Sequence, residues 1–173
     1  STSPWKGRLY GQIKRDTTEP VVDAGFGVQP FLGPALSTND ENYKKFSFSD
    51  IEEASFKTSK DGGWVAMVQH YFLSAWIPNQ ETKNSFFLRK SSQEEGIYFF
   101  GFAEPSIQIQ PGEKKVLSAG FYAGPKDVYR LEEISPYLDL TVDYGILWWI
   151  AKPLFHVLNW IYSFLGNWGW SII

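Results

Sequence analysis

The sequence has no cysteine, and that one absence excludes disulfide frameworks, Cys-ligated metals, thiol nucleophiles and Cys-anchored lipids together. The compartment stays open, because oxidising locations permit disulfides without requiring them. Histidine is almost as scarce. His70 and His156 are the two present, and neither has a companion at metal-ligand spacing, so both read as structural or solvent-facing. Nucleophile elbows, HExxH, P-loops and dinucleotide fingerprints are missing. There is no excess of positive charge either: 16 Lys and Arg stand against 19 Asp and Glu, and the cations are scattered. The electrostatic footprint of a nucleic-acid binder is therefore absent. The expectation is a non-enzymatic chain with no catalytic residues, cofactor, metal site or nucleic-acid partner.

What is abundant is aromatic surface: 8 Trp, 9 Tyr and 14 Phe in 173 residues, a load that disordered chains do not carry. The length suits one domain with a real core. Up to residue 124, short apolar or alternating runs alternate with turn signals such as Asp61-Gly62-Gly63, Pro78-Asn79, Glu104-Pro105 and Pro111-Gly112-Glu113. Strands are expected at Lys6 to Arg15, Phe26 to Leu32, Lys45 to Ser49, Ala54 to Thr58, Trp64 to Pro78, Ser85 to Lys90, Gly96 to Ala103, Ser106 to Gln110 and Lys115 to Ala123. Many strands at short intervals predict a mainly β fold, a sandwich. A short helix is expected near 125–134, where Val128, Leu131 and Ile134 recur every third residue.

Three groups of residues bear on chemistry. The acidic pairs Glu52-Glu53, Glu94-Glu95 and Glu132-Glu133 read as solvated loops and a helix face rather than glycosidase carboxylates. Gly25-Phe26-Gly27 and Gly62-Gly63 read as turn or strand glycines. Trp64, Tyr71, Phe72 and Trp76 share one long strand pattern, where core packing competes with sugar stacking as the explanation.

From Pro136 the composition shifts to aromatic and nearly uncharged, which marks a boundary. Domain 1–135 is the β part, 136–166 a membrane-proximal helical segment, and 167–173 the start of a truncated transmembrane helix. Both ends read as cut: the first residues lack a start Met and a signal sequence, and hydrophobicity is still rising at Ile173. Within Lys152 to Leu165, the polar Lys152, His156, Asn159 and Ser163 are spaced by four, three and four and form one narrow stripe. Leu154, Val157, Leu158, Ile161, Phe164 and Leu165 face away, with Trp160 and Tyr162 at the margins. Pro153 is placed in the first turn and Gly166 at the stop. A transmembrane span, a helix packed on the sandwich and a helix in the membrane interface all fit this pattern. The interfacial reading is favoured because an incipient span follows, and it enlists Trp148, Trp149, Trp168 and Trp170 as further interface aromatics.

The run from Gly62 to Pro78, GGWVAMVQHYFLSAWIP, the run from Phe121 to Leu140, and LDLTVDYGILWWIAKPLFHVLNWIYSFLGNWGWSII from Leu138 to the end closely resemble the YidC membrane protein insertases of Gram-negative bacteria. The resemblance is collinear over nearly the whole chain and weakest in Ser1 to Glu53. It implies the C-terminal part of a periplasmic β-supersandwich related to galactose mutarotases, followed by membrane-surface helices and the second span. It also implies a parent protein of the inner membrane that inserts and folds nascent membrane proteins, alone or with the Sec translocon and its accessory SecD and SecF components. The insertase groove lies outside this sequence. The alternative is a membrane-tethered carbohydrate- or peptide-binding sandwich.

Overall fold

The computed structural model describes residues 3–17, 31–142, 148–167 and 169, apart from the side chains of 148–152. The chain divides into two compact units, Ser1–Val22 with Phe31–Val142 and Asp23–Pro30 with Asp143–Ile173. The first unit is the β part. Its strands are β1 (Trp5–Gly7), β2 (Tyr10–Asp16), β3 (Gly33–Ser37), β4 (Lys44–Lys45), β5 (Phe56–Asp61), β6 (Trp64–Val68), β7 (Phe72–Ile77), β8 (Lys83–Lys90), β9 (Ile97–Ala103), β10 (Ile107–Ile109) and β11 (Gly120–Pro125). Helix α1 spans Phe48–Glu53, α2 spans Val128–Ile134, and a 3-10 turn covers Leu138–Thr141.

All pairing among these strands is antiparallel. One sheet runs β11-β7-β6-β3-β4, a second β2-β9-β8-β5, and β1 pairs with β10 alone. Successive strand residues point to opposite faces, and β6 shows what that means here. Val65 and Met67 join Leu36, Phe86, Leu88, Tyr98, Phe100 and Phe102 in the core between the two sheets. Trp64, Ala66 and Val68 join Leu131 and Leu138 on the opposite face, under α2 and the 3-10 turn. The five-stranded sheet is thus covered on both sides, which is why β3 and β6 are buried at every position. Ala35, Ala66 and Ala75 lie in register across β3, β6 and β7, and this row of small side chains leaves room for Leu131 and Leu138 above it. The Trp64 indole N–H donates to the Pro136 carbonyl at 3.0 Å, fixing the turn after α2 to the sheet. On β11 and β7, Phe121 and Phe72 are exposed, Phe121 with its ring 4.6 Å from that of Trp76.

Several expected elements are corrected. The run Lys6 to Arg15 breaks at Arg8-Leu9 and feeds two different sheets. Trp64 to Pro78 is a hairpin, turned where the Gln69 N–H donates to the Phe72 carbonyl. Lys45 to Ser49 is a two-residue strand followed by α1, because Ser47 and Asp50 form a reciprocal capping box: the Asp50 N–H donates to Ser47 Oγ at 3.1 Å and the Ser47 N–H to Asp50 Oδ2 at 2.8 Å. Of Phe26 to Leu32, residues 26–30 lie outside the described residues, Phe31 and Leu32 carry no strand, and a strand forms at Gly33–Ser37. The last strand begins at Gly120 rather than Lys115, and α2 is capped by Asp127, whose side chain accepts from the Arg130 N–H.

Two glycines are required by their positions. Gly63 has φ +87° in the β5–β6 turn, and a Cβ there would stand 2.2 Å from the Ser37 carbonyl oxygen. Gln80 brackets it, its Oε1 accepting from the Gly63 N–H and its amide donating to the Gly63 carbonyl, both at 3.0 Å. Gly166, at φ +62°, ends the second unit's helix, and its N–H donates to the Tyr162 carbonyl.

Candidate membrane-interface helix

In the second unit, helix α3 spans Trp148–Leu165. It starts five residues before Pro153, so the proline is inside the helix rather than in its opening turn. Trp148, Trp149 and Lys152 lie on its backbone with side chains not described, and Trp168 and Trp170 lie outside the described residues. No helix among the described residues is long and apolar enough to cross a membrane. Residues 143–147, within the expected segment 136–166, and residues 168 and 170–173, within the expected segment 167–173, are likewise outside the description.

From Pro153 onward the helix has two unlike sides. Phe155, Leu158, Asn159, Ile161 and Tyr162 are half-buried. Leu154, Val157, Trp160, Phe164 and Leu165 are exposed, Trp160 at 65% and Phe164 at 73%. The exposed aromatics make an edge-on pair with ring centroids 5.0 Å apart. Of the polar stripe, His156 and Ser163 are exposed while Asn159 is half-buried. Ser163 donates its hydroxyl to the Trp160 carbonyl at 2.6 Å, satisfying itself locally. The exposed arc therefore carries polar residues on one flank and a run of large apolar side chains across the rest.

The other candidate groups do not converge. His70, at the β6–β7 turn, packs edge-on against Tyr71, and its Nδ1 is buried without a partner among the described residues. Glu94 is paired with Lys14 at 2.7 Å on the surface. Glu52 accepts from Lys90 at 2.9 Å and from the Tyr98 hydroxyl. That hydroxyl, then the Lys90 cation, holds the Glu52 carboxyl below the usual range, while burial and the Glu52 charge push Tyr98 up to about 12. No group of three metal-ligating side chains exists among the described residues. The four aromatics of the long strand pattern make no sugar platform: Trp64 is buried, Trp76 lies against Phe102 and Phe121, and Tyr71 and Phe72 sit at the hairpin turn.

One feature was not anticipated. A cavity of about 410 Å³ on the outer face of the four-stranded sheet is lined by Arg8, Tyr10, Phe87, Arg89 and Ala103. Strand alternation assigns Phe87 and Arg89 to that outer face, but only the strand register brings them to Tyr10 and Ala103.

An antiparallel two-sheet sandwich with a helical layer, joined in sequence to a helix with an exposed apolar arc, defines a mainly β domain with a C-terminal helical segment. Its family is given by comparison: the model described as the YidC periplasmic domain matches residues 1–157, and the chain belongs to that family. Relatives named membrane protein insertase YidC include those of Cellvibrio japonicus, 56% identical over 171 residues, and Saccharophagus degradans, 50% identical over 171 residues. A third, from Pseudomonas fluorescens, is 50% identical over 174 residues. They cover 99%, 99% and 100% of this chain, whereas the chain covers 31%, 30% and 31% of them. It thus spans about a third of the length of the curated relatives it matches.

Proposed function

We propose that the chain is a non-catalytic periplasmic module of a membrane protein insertase, which scaffolds its parent at the outer face of the inner membrane and docks α3 into the lipid interface. The parent receives nascent membrane proteins, alone or beside the Sec translocon with SecD and SecF. These partners come with the family resemblance. The observation that carries the reading is the exposed apolar arc Leu154, Val157, Trp160, Phe164 and Leu165, in a chain whose relatives bear the insertase name. A helix of this kind lies in the interface plane with aromatic side chains at headgroup depth. It lacks the cationic enrichment of helices recruited by anionic lipid alone, and a covalent link to a membrane span makes that recruitment unnecessary.

The test is flotation of the full chain with vesicles of phosphatidylethanolamine and phosphatidylglycerol. Wild type and Ser163→Lys are expected to float. Val157→Lys, which puts an ammonium in the middle of the apolar arc at a cost of up to ~2–3 kcal/mol, is expected to stay in the dense fraction. If none floats, or all three float equally, the arc is not a lipid-docking surface.

A further inference from the structure

The cavity on the outer face of the four-stranded sheet has the make-up of a ligand site that the membrane reading does not use. Its floor is β9. Ala103 lies between Tyr10 on β2 and Ser85 on β8, and the next row is Gln12, Gly101 and Phe87. Gly101 has no side chain for a packing reason, since a Cβ would come within 2.1 Å of the Gly11 carbonyl oxygen. The consequence is a trough along β9 with Tyr10 and Phe87 as walls. These walls stand on strands two spacings apart, roughly 10 Å, which admits one extended chain and no folded element.

The trough has a cation toward each end. Arg89 is in register with Phe99, over whose ring its guanidinium lies at 4.8 Å, and Arg8 precedes Tyr10 beyond the Ala103 row. The rows between these ends span about 13 Å along the strand. Neither arginine has a carboxylate within salt-bridge distance among the described residues. Lys57, opposite Phe87 on β5, adds a third exposed cation, while Lys14 in the Phe99 row is already neutralised by Glu94. The contrast with a smaller cavity nearby is instructive. Around the 110 Å³ cavity lined by Thr38, Asp40, Glu41, Lys44 and Lys60, the lysines are paired with Asp40 and Glu41. In the trough the positive charge is left unanswered, in a chain whose net charge is −3.

Donor-rich linings select acceptors. A neutral sugar presents hydroxyls that need acceptors as well as donors, and beside its two guanidinium groups this lining sets only neutral side-chain acceptors, the Tyr10 phenol, the Ser85 hydroxyl and the Gln12 amide. Guanidinium groups instead match oxyanions, which accept without donating. We propose that the trough binds an extended, acidic peptide segment, with Arg8 and Arg89 taking its carboxylates and Tyr10 and Phe87 flanking an apolar side chain between them. Both aromatics supply stiff contact area at low entropic cost.

The experiment uses the full chain and a fluorescent, end-capped hexapeptide with glutamate at both ends and leucine within, followed by anisotropy. Saturable binding is expected, weakened about ten-fold or more by Arg8→Gln and by Arg89→Gln, and unchanged by Lys114→Gln, which removes the same charge from an exposed site elsewhere. The counterpart peptide with glutamine for glutamate is expected not to bind. Thermal melts of the variants should coincide with wild type, since both arginines are exposed. Equal affinity across all variants, or for both peptides, overturns the proposal. So does displacement by equimolar inorganic phosphate, which marks a small-anion site. If the arginine variants lose flotation with phosphatidylglycerol vesicles while peptide binding is untouched, the surface belongs to lipid and the peptide proposal fails.

Discussion

Phe86, Phe100, Phe102 and Trp64 in the β unit are wholly buried, whereas Val157, Trp160, Phe164 and Leu165 on α3 are each more than half exposed. The side-chain chemistry is the same and the outcome is opposite. Burying one such side chain stabilises a fold by roughly 1.5–3 kcal/mol, so the β unit collects several of these contributions and α3 leaves several uncollected. Contiguous apolar side chains left on a surface mark an interaction site. The two regions therefore differ in how much apolar surface they leave uncovered: the sandwich buries its own between its sheets and under α2, and α3 leaves an arc exposed among the described residues.

That contrast can be broken from the β side with the largest effect. Phe100→Ala is expected to lower unfolding free energy by about 3–5 kcal/mol, read by chemical denaturation, because cavity and transfer costs add at a closed site. Gly63→Ala comes next, at roughly 1–3 kcal/mol, since the left-handed backbone and the Ser37 carbonyl both oppose a Cβ. Ser47→Ala removes half of the α1 capping box and is expected to cost about 1 kcal/mol. Beside these stands a titration effect. Tyr98 is pushed up to about 12, so the folded state holds its proton more tightly than the unfolded state. Its contribution is complete below pH ~10 and is lost as pH rises from about 10 to 12. Glu52 and Asp50 are both held low, Asp50 by the Ser47 N–H first, so their contributions persist above the ordinary carboxylate range and vanish as pH falls below it. Tyr98→Phe should flatten the alkaline limb of a pH-dependent denaturation series. At the bottom of the scale, Val157→Ser on α3 is expected to leave the denaturation midpoint of the β unit within about 0.5 kcal/mol of wild type. A large shift there would mean that the arc is already used within the fold.

Legibility in sequence divides along similar lines. The strands β8 and β9 follow from short apolar runs between turn signals, and their expected segments, like that of β5, overlap the observed ones. β3 was hidden because GPALS opens with glycine and proline, punctuation residues that nonetheless sit buried between two neighbouring strands. The β6–β7 turn carries Gln69, His70 and Tyr71, with no glycine, proline, asparagine or aspartate to announce it. Helix α1 was announced by Ser47 and Asp50, yet the alternating Phe46-Ser47-Phe48 favoured a strand. The amphipathic pattern of α3 was legible; its half-buried side, which includes Asn159, was not, because cover depends on neighbours rather than on period. The trough needed residues 8, 10, 87, 89 and 103 brought together by register, and no local pattern encodes that.

The link between Trp64 and Pro136 also has a mechanical meaning. A load drawn along the chain from α3 toward the β unit would reach the 3-10 turn before any strand. There Leu138 is buried, Thr141 donates its hydroxyl to the Leu138 carbonyl at 2.7 Å, and the Trp64 indole grips the preceding residue pair from an interior strand of the larger sheet. Tension would thus be met by an interior strand with neighbours on both sides instead of by an edge strand that can be peeled away one hydrogen bond at a time.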